Sequence, residues 1–121
     1  MATKTYNEAL LHAWEQTYHK GHLTFWVLIA LKESPKSLEE IRAFIELYGQ
    51  SVVSYDDQSI YRALRKYDEI EMIRFELRDG DRGPQRKYYS LTKTGTAVLQ
   101  QFIERNILLF NQKKLQTILL K

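Results

Sequence analysis

Two neighbouring stretches decide the fold: DQSIYRALRKYDEI at residues 57–70 and IRFELRDGDRGPQRKYYSL at residues 73–91. The first predicts a helix with an apolar inner face and an outer face that carries arginines. In the second, Ile73, Phe75 and Leu77 alternate with charged residues. This alternation predicts a strand with one buried side, and a turn then returns the chain as a second strand. A basic helix followed at once by an arginine-tipped hairpin is the arrangement of a winged helix-turn-helix.

Helices are predicted on both sides of this unit. Their ranges are 5–19, 22–32, 37–49 and a long final helix that begins after Thr92. The second of them is apolar on nearly all sides, which is typical of a buried central helix. Ser37 and Glu40 form a capping-box pattern before the third, and either Asp56 or Asp57 caps the basic helix. We therefore expect five helices and one hairpin, a mainly α fold with a small β-hairpin wing.

The final helix carries more apolar surface, between Val98 and Leu119, than a compact core of this size needs. Such a helix needs a partner, and we favour its own twofold copy, with the first helix joining the interface. The alternative is that the first and last helices pack on each other within one chain. The expected organisation is an N-terminal helix at 1–21, a winged helix-turn-helix domain at 22–92 and a C-terminal dimerisation helix at 93–121.

Composition limits the class of protein without naming a function. The 121 residues are 44% apolar and 27% charged, which suits one folded domain. No apolar run approaches the roughly 18 residues that a membrane helix needs, and the N-terminus has no signal-peptide pattern. We therefore expect a cytoplasmic protein with no membrane partner. The chain has no cysteine, which excludes disulfides and thiolate metal sites.

The net charge of +3 is small, but the basic residues are concentrated in the helix and the hairpin. Residues 21–61 hold three basic and six acidic side chains, a balance of −3. Residues 62–93 hold nine basic and six acidic ones, a balance of +3. A nucleic-acid-binding surface predicts this distribution, because phosphate neutralisation supplies most of the sequence-independent affinity for DNA. The alternative is that these side chains simply solvate a surface.

The run SIYRALRKYDEIEMI at 59–73, followed by GPQRKYYSLTKTG at 83–95, resembles the PadR family of transcriptional regulators. The stretch LIALKESPKSLEEI at 28–41 is similar to the first two core helices of that family and their turn. The residues that match the family pattern are Ser59, Tyr61, Leu64, Arg86, Lys87, Tyr88, Tyr89, Leu91, Thr92 and Gly95. The resemblance covers about residues 22–100. It implies a small winged-helix protein that usually represses genes as a homodimer.

Two departures from the family pattern have structural consequences. The family usually closes the recognition helix with a glycine, where this chain has Glu71. A left-handed backbone at Glu71 costs about 1 kcal/mol, or else the helix ends differently. The second core helix opens with Ser37-Leu38 instead of the family's Gly-Tyr, so contacts of that helix are not carried over.

Candidate DNA-contacting residues lie on the outer face of the basic helix and at the hairpin. They are Gln58, Ser59, Tyr61, Arg62, Arg65, Arg82, Arg86 and Lys87. Arg62 and Arg65 can bond guanine in pairs or hold phosphate, and the alternative is ion pairing with Asp68 or Glu69. Gln58 and Ser59 occupy the leading end of the helix, where they either meet base edges or only cap it.

The other candidates have open alternatives. Tyr61 either bonds phosphate or closes the core, and the PadR resemblance favours contact. Arg82 and Arg86 are expected at phosphate or in the minor groove, whereas Lys87 either contacts DNA or covers Tyr88. Tyr88 and Tyr89 point to opposite faces of the hairpin, so one of them belongs to the core.

Other residues suggest weaker sites. His12, His19 and His22 give little support for metal binding, because only two of them are close in sequence. Trp14 and Trp26 either line a pocket for a small aromatic ligand, which some relatives of the PadR family bind, or belong to the core. No catalytic constellation and no cofactor motif is present, so we expect no enzyme.

These observations lead to one interpretation and two alternatives. We expect a homodimeric, sequence-specific DNA-binding regulator, a repressor that acts on a near-palindromic operator, with a small aromatic effector as a further hypothesis. The first alternative is a winged helix that binds only proteins. The second is a small enzyme or ligand carrier that uses the tryptophan-rich region.

Overall fold

The computed structural model describes residues 2–80 and 82–121, with side chains from Thr5 onward. It confirms a mainly helical fold with a two-stranded antiparallel hairpin. Met1, and Asp81 in the expected hairpin turn, lie outside the described residues. The elements are α1 (Ala2–Tyr18), α2 (His22–Glu33), α3 (Leu38–Gly49), α4 (Asp57–Glu69), β1 (Ile73–Gly80), β2 (Gly83–Leu91), α5 (Lys93–Asn106), a 3₁₀ turn (Leu108–Asn111) and α6 (Lys113–Leu119). No helix in this part of the chain is long and apolar enough to cross a membrane.

The core is built around α2, as its nearly continuous apolar sequence predicts. The fully buried side chains that surround it come from α3, α4, β1 and α5, and they are Ile41, Ile45, Ile60, Leu64, Ile73 and Leu99. They recur at helical spacing in α3 and α4, so each helix turns one apolar stripe toward α2. Burying an Ile or Leu side chain contributes about 1.5–3 kcal/mol, and this cluster therefore holds the four helices together.

Two helix N-termini are capped as the sequence predicts. At α3, the Glu40 N–H donates to Ser37 Oγ at 3.3 Å, and the Ser37 N–H donates to Glu40 Oε1 at 3.1 Å. At α4, Asp56 is the capping residue, because its Oδ1 accepts from the Ser59 N–H at 2.7 Å. Asp57 is the first residue within the helix, and its carboxylate takes no part in the cap.

The wing is anchored at its base and projects into solvent. Ile73 pairs with Leu91 and Phe75 with Tyr89, and both Ile73 and Tyr89 are buried. Of Tyr88 and Tyr89, Tyr89 is thus the core residue. The expectation of a fully buried face is wrong beyond this point, since Phe75 is 38% and Leu77 55% exposed. The ribbon extends past the body of the protein, so its apolar face packs there against side chains of the wing itself, such as Tyr89 beside Phe75, and not against the helices.

Lys36 fixes the wing to the helical body. Its backbone exchanges both hydrogen bonds with Tyr89, at 3.0 and 2.8 Å, as a short third strand segment would. Its side chain is buried, and Nζ donates to Ala30 O at 2.7 Å and to Ser34 Oγ at 2.9 Å, while pairing with Glu33 at 2.9 Å. The ammonium therefore satisfies a carbonyl at the end of α2 and holds the base of the wing against it.

The link between α4 and the wing contains the predicted strained residue. Glu71 has φ +61°, so the left-handed helix end forms without the family's glycine. The Glu71 N–H donates to Asp68 O at 3.1 Å and the Met72 N–H to Tyr67 O at 2.9 Å, the two bonds of a Schellman motif. These bonds stabilise a conformation that costs a non-glycine residue about 1 kcal/mol.

The start of α5 locks onto the same link. The Thr92 hydroxyl donates to Glu71 O at 2.6 Å and accepts from the Gly95 N–H at 3.0 Å. The Thr92 N–H donates to Met72 O at 3.1 Å. A Cβ atom on Gly95 would lie 1.9 Å from Met72 O, so only glycine allows this approach. The end of α4 and the start of α5 are therefore held as one rigid unit.

The C-terminal segment is not the single long helix that the sequence predicts. It breaks after Asn106 into a 3₁₀ turn, and α6 follows after an extended residue, Gln112. Amide side chains support the break, because Asn106 Nδ2 donates to Phe102 O at 3.1 Å and Gln116 Nε2 to Phe110 O at 2.6 Å. Such bonds give freed carbonyls an alternative to helical partners. Helical periodicity continues through this region, so the apolar pattern alone did not reveal the break.

Helix α1 stands away from the rest of the protein. From Thr5 to its end nearly every side chain is exposed, including Leu10, Leu11 and Trp14. The alternative in which the first and last helices pack on each other within one chain is therefore not what the structure adopts.

Candidate nucleic-acid interface

The outer face of α4 is open and basic. Gln58, Arg62 and Arg65 are exposed, and Tyr61 is 44% exposed, so Tyr61 does not close the core. Ser59 is half-buried and its backbone N–H is held by Asp56. This bond and the adjacent Arg62 lower the pKa of the Asp56 carboxyl, the hydrogen bond being the larger cause. The face thus presents two arginines, a glutamine and a phenol to solvent.

The two arginines of α4 differ in their surroundings. Among the described residues Arg62 forms no hydrogen bond or close ion pair, although its charge acts on the nearby carboxylate of Asp56, and its exposed guanidinium can bind a ligand. Arg65 Nε lies 3.4 Å from Glu69 Oε1, which is the ion pair that the sequence offers as the alternative to DNA contact. Both side chains of that pair are well exposed, and exposed i, i+4 pairs are weak and screened by salt. Arg65 can therefore exchange Glu69 for a phosphate.

A shallow depression of about 500 Å³ lies between the start of α3 and the leading half of α4. Its lining residues are Leu38, Asp57, Gln58, Tyr61 and Arg62. Three of them, Gln58, Tyr61 and Arg62, were candidates from the sequence. Leu38 and Asp57 were not, and only the packing of α3 on α4 brings them to this place.

An ion pair joins the two helices at the edge of this depression. Arg42 of α3 donates through Nη1 to Asp57 Oδ1, and its Nε lies 3.8 Å from Glu46. The bond to Asp57, followed by the charge of that carboxylate, raises the pKa of Arg42. The residues are 15 positions apart, so no periodicity in the sequence signals the pair.

The far face of the wing carries more basic residues than the sequence analysis selected. Arg78 and Arg86 are directly opposed on the two strands, and Arg74 lies on the same face. The Arg78 guanidinium lies 4.5 Å from the centroid of the Tyr88 ring, and its Nε is 2.8 Å from Glu76 Oε1. The alternation in residues 73–78 contained the signal for Arg74 and Arg78, since it already set them on one side.

At the wing tip, Arg82 and Arg86 line a polar depression of about 350 Å³ with Asp79, Gly80 and Tyr88. Both arginines are exposed. Lys87 points to the opposite face, with Nζ 4.4 Å from the centroid of the Phe75 ring. The interpretation that Lys87 covers Tyr88 is therefore wrong, because neighbouring strand residues face opposite sides. The wing thus presents its arginines on one face and its lysine on the other.

The histidines do not form a metal centre. Tyr18, His19 and His22 are in edge contact where α1 meets α2, with the two imidazole centroids 5.8 Å apart. Burial, and to a lesser extent the nearby His19, lowers the pKa of His22. Among the described residues, no group of three or more His, Cys, Asp or Glu is placed to hold a metal.

An apolar cavity of about 360 Å³ lies between α2, the end of α4 and α5. It is lined by Gly21, Thr24, Phe25, Leu28, Tyr67, Met72, Val98, Leu99 and Phe102. The candidate ligand residues do not line it: Trp14 is 72% exposed on α1, and Trp26 packs against the core. Thr24 Oγ1 and Tyr67 Oη form the polar feature of this cavity, 2.9 Å apart.

Comparison with solved structures identifies similar folds. PadR from Bacillus subtilis in complex with operator DNA matches with a TM-score of 0.61 and 22% identity over 67% of this chain, which spans 46% of that one. A PadR family transcriptional regulator from Eggerthella lenta matches with a TM-score of 0.69 and 20% identity over 88% of this chain and 91% of that one. A Streptococcus transcriptional regulator matches with a TM-score of 0.63 and 26% identity, over 82% and 93%.

Sequence comparison supplies the family. A search of curated proteins finds no match. The model of the transcriptional regulator PadR-like family matches residues 27–101, from the middle of α2 to the middle of α5. That span is more than half of the chain and includes α4, the wing and the junction at Gly95. The protein belongs to the PadR-like family of transcriptional regulators, which confirms the expectation of a regulator and not an enzyme.

Proposed function

We propose that this protein is a sequence-specific DNA-binding repressor that acts in the cytoplasm as a homodimer. The observation that carries the proposal is the open face of α4, where Gln58, Arg62 and Arg65 are exposed, beside a wing with exposed arginines. The solved complex of Bacillus subtilis PadR with operator DNA supports the same role for this fold.

The leading half of α4 would enter the major groove. Gln58 and Ser59 are at the end of the helix that meets base edges in helix-turn-helix proteins, and Arg62 is one turn further along the exposed face. Arg62 can bond guanine O6 and N7 together, and Gln58 can bond adenine. Tyr61 and Arg65 flank them and would hold phosphates, which position the helix without selecting sequence.

The wing would contact the backbone beside the groove. Arg82 and Arg86 are exposed at its tip, and the opposed pair of Arg78 and Arg86 brings two like charges together on one face. Like charges directly opposite on a hairpin are destabilising, so a bound phosphate would relieve their repulsion. Lys87, on the other face, is a weaker candidate than the sequence suggested.

The dimer would form through the two ends of the chain. The exposed apolar residues outside the core are concentrated in α1 and after α5, with Leu10, Leu11, Trp14, Ile118 and Leu119 each more than half exposed. Exposed apolar surface of this kind is typical of an interface, and a twofold copy would cover both ends at once. Residues 1–21 and 93–121 would then serve dimerisation and residues 22–92 DNA binding, while α5 also packs on the core of the head through Leu99. The two copies of α4 would enter successive major grooves about 34 Å apart.

A small aromatic effector would occupy the cavity between α2, α4 and α5. Its volume of about 360 Å³ falls within the range of ligand pockets, and its lining is apolar with one polar pair, Thr24 and Tyr67. A planar compound with one hydroxyl fits this chemistry. If no aromatic compound changes tryptophan fluorescence or DNA affinity, the effector proposal fails while the DNA proposal stands.

The test is fluorescence anisotropy of the purified protein with labelled duplex from its own upstream region, over a series of salt concentrations. We expect affinity to fall with salt by about 0.9 log units per log unit of salt for each phosphate contacted. Arg62→Ala/Arg65→Ala should weaken binding and reduce that slope. Lys20→Ala/Lys32→Ala, which removes two exposed charges outside α4 and the wing, should not.

Two other outcomes would change the conclusion. Unchanged binding in the α4 variant would keep the DNA role but move it to another surface. No binding at low salt to this or any random duplex would contradict the proposal and favour the protein-interaction module, in which Arg65 stays paired with Glu69.

A further inference from the structure

Two adjacent aspartates, Asp56 and Asp57, stand at the N-terminus of α4 and have different surroundings. The carboxylate of Asp56 is used in the cap, where it accepts the Ser59 N–H. The carboxylate of Asp57 takes no part in the cap, and its side chain is 55% exposed in the depression beside Gln58 and Tyr61. An acid at this point repels the DNA backbone, so phosphate binding alone gives no reason for its presence.

Arg42 pairs with the carboxylate of Asp57 and so affects which groups that carboxylate can bind. Its guanidinium holds Asp57 Oδ1 from α3, which fixes the orientation of the carboxylate and offsets its charge near DNA. A carboxylate has about four acceptor positions, and the bond to Arg42 uses one. Within the described part of the chain Asp57 makes no other hydrogen bond or ion pair. A fixed acceptor with free capacity thus faces the space that the major groove would fill.

We propose that Asp57 is a specificity-determining residue that selects cytosine, with Arg42 as its positioning residue. The inference rests on the proposed function. Two bases offer an amino group in the major groove, cytosine through N4 and adenine through N6. Adenine itself sets its amino group beside its N7 acceptor, which repels a carboxylate, whereas cytosine itself offers only its amino group on the major-groove edge. The acid therefore favours cytosine and disfavours the other three bases.

The experiment begins with selection of bound duplexes from a random pool, followed by anisotropy with duplexes that differ at single positions. We expect the wild type to prefer cytosine by about tenfold at one position of the site. Asp57→Asn should change that preference to adenine, because an amide matches the N6 and N7 pair of adenine. Asp57→Ala should lose the preference without gaining another.

The matched control is Glu69→Gln, which removes the same charge from an exposed position at the other end of α4. It should leave the preference for cytosine unchanged. Arg42→Met should reduce that preference while Asp57 is intact, because the carboxylate is no longer held. Circular dichroism melting of each variant verifies that the fold is retained.

The outcomes are distinguishable. A shift from cytosine to adenine in Asp57→Asn alone supports the assignment. If Asp57→Asn and Glu69→Gln tighten binding equally and keep the same base preferences, Asp57 only ties α3 to α4 and the inference is overturned. If the random pool yields no enriched sequence with the wild type, sequence-specific binding itself fails, and the proposed function fails with the inference.

Discussion

The head of the molecule, residues 22–106, and its two end segments, α1 and residues 107–121, use apolar residues in opposite ways. In the head, helical stripes from α2, α3 and α4 meet, and Ile60 and Leu64 are completely buried. In the end segments, Leu11 is 55% and Leu120 82% exposed. The same residue types therefore build a buried core in one region and remain exposed in the other, although the head also exposes Leu47 and Val52.

This difference divides the chain into a packed unit and two exposed end segments. The junction of Thr92, Gly95 and Met72 makes α4, the wing and α5 one unit, so that unit can present a fixed basic surface. The ends carry few contacts with it, and we infer that a second chain orders them. Changes in the head should lower the stability of the chain, whereas changes in the ends should lower the stability of the proposed dimer.

The largest expected effect separates the two regions directly. Leu64→Ala creates a cavity in the head and should lower the free energy of unfolding by about 3 kcal/mol. Leu11→Ala removes the same atoms from an exposed position of α1 and should leave the unfolding of the monomer almost unchanged, while it shifts dimer to monomer. Urea denaturation and sedimentation measure the two quantities. Equal losses of folding stability in both variants would contradict the division.

Gly95→Ala tests the rigid junction. The added Cβ would overlap Met72 O at 1.9 Å, and this oxygen belongs to backbone that cannot easily move, so we expect a loss of about 3 kcal/mol in the free energy of unfolding. Thr94→Ala, at the exposed neighbouring position, is the control and should change stability little. A thermal melt of Gly95→Ala that matches the control would mean that α5 is free to move relative to α4.

Glu71→Gly should act in the opposite direction. Glycine adopts φ +61° without the strain that a Cβ atom imposes, so the variant should gain about 1 kcal/mol in stability. The control is Glu76→Gly in β1, where the backbone is extended and glycine should destabilise. The midpoint of urea denaturation measures the change in stability. A loss of stability in Glu71→Gly would show that the Glu71 side chain contributes more than the backbone strain costs.

The smallest effect concerns the cap of α4 and its dependence on pH. The pKa of Asp56 is lowered in the folded state from its ordinary 3.8, so its stabilisation is present above that value and is lost as pH falls through the lower folded pKa. Asp56→Asn keeps an acceptor for Ser59 without titrating, and its melting temperature should fall less between pH 5 and about pH 3. Parallel curves for the wild type and the variant would rule out this linkage.

Part of this architecture could be predicted because it is encoded locally. The capping box at Ser37, the cap before Ser59 and the apolar stripe of α4 each depend on residues within a few positions of one another. The strain at Glu71 was likewise foreseeable, because a helix end that usually has glycine carries a Cβ atom here.

The remaining features depend on distances that a pattern does not contain. Alternation in β1 indicated which face is apolar, but it did not indicate that the hairpin extends beyond the helical core at Leu77. The pair of Arg42 and Asp57 depends on how α3 crosses α4, and the break after Asn106 depends on competing amide bonds. Candidates on single elements, such as Arg62, were therefore accessible from the sequence, whereas the pairing across elements was not.

One measurement tests the proposed division between a DNA-binding head and associating ends most directly: hydroxyl-radical footprinting of Tyr61 and Trp14, with and without operator duplex. Tyr61 is 44% and Trp14 72% exposed, and both oxidise readily when solvent reaches them. At a protein concentration where the dimer is complete, we expect DNA to protect Tyr61 and leave Trp14 unchanged, whereas dilution of the protein without DNA exposes Trp14 alone. Protection of Trp14 by DNA, with Tyr61 oxidised equally in both samples, would contradict the account.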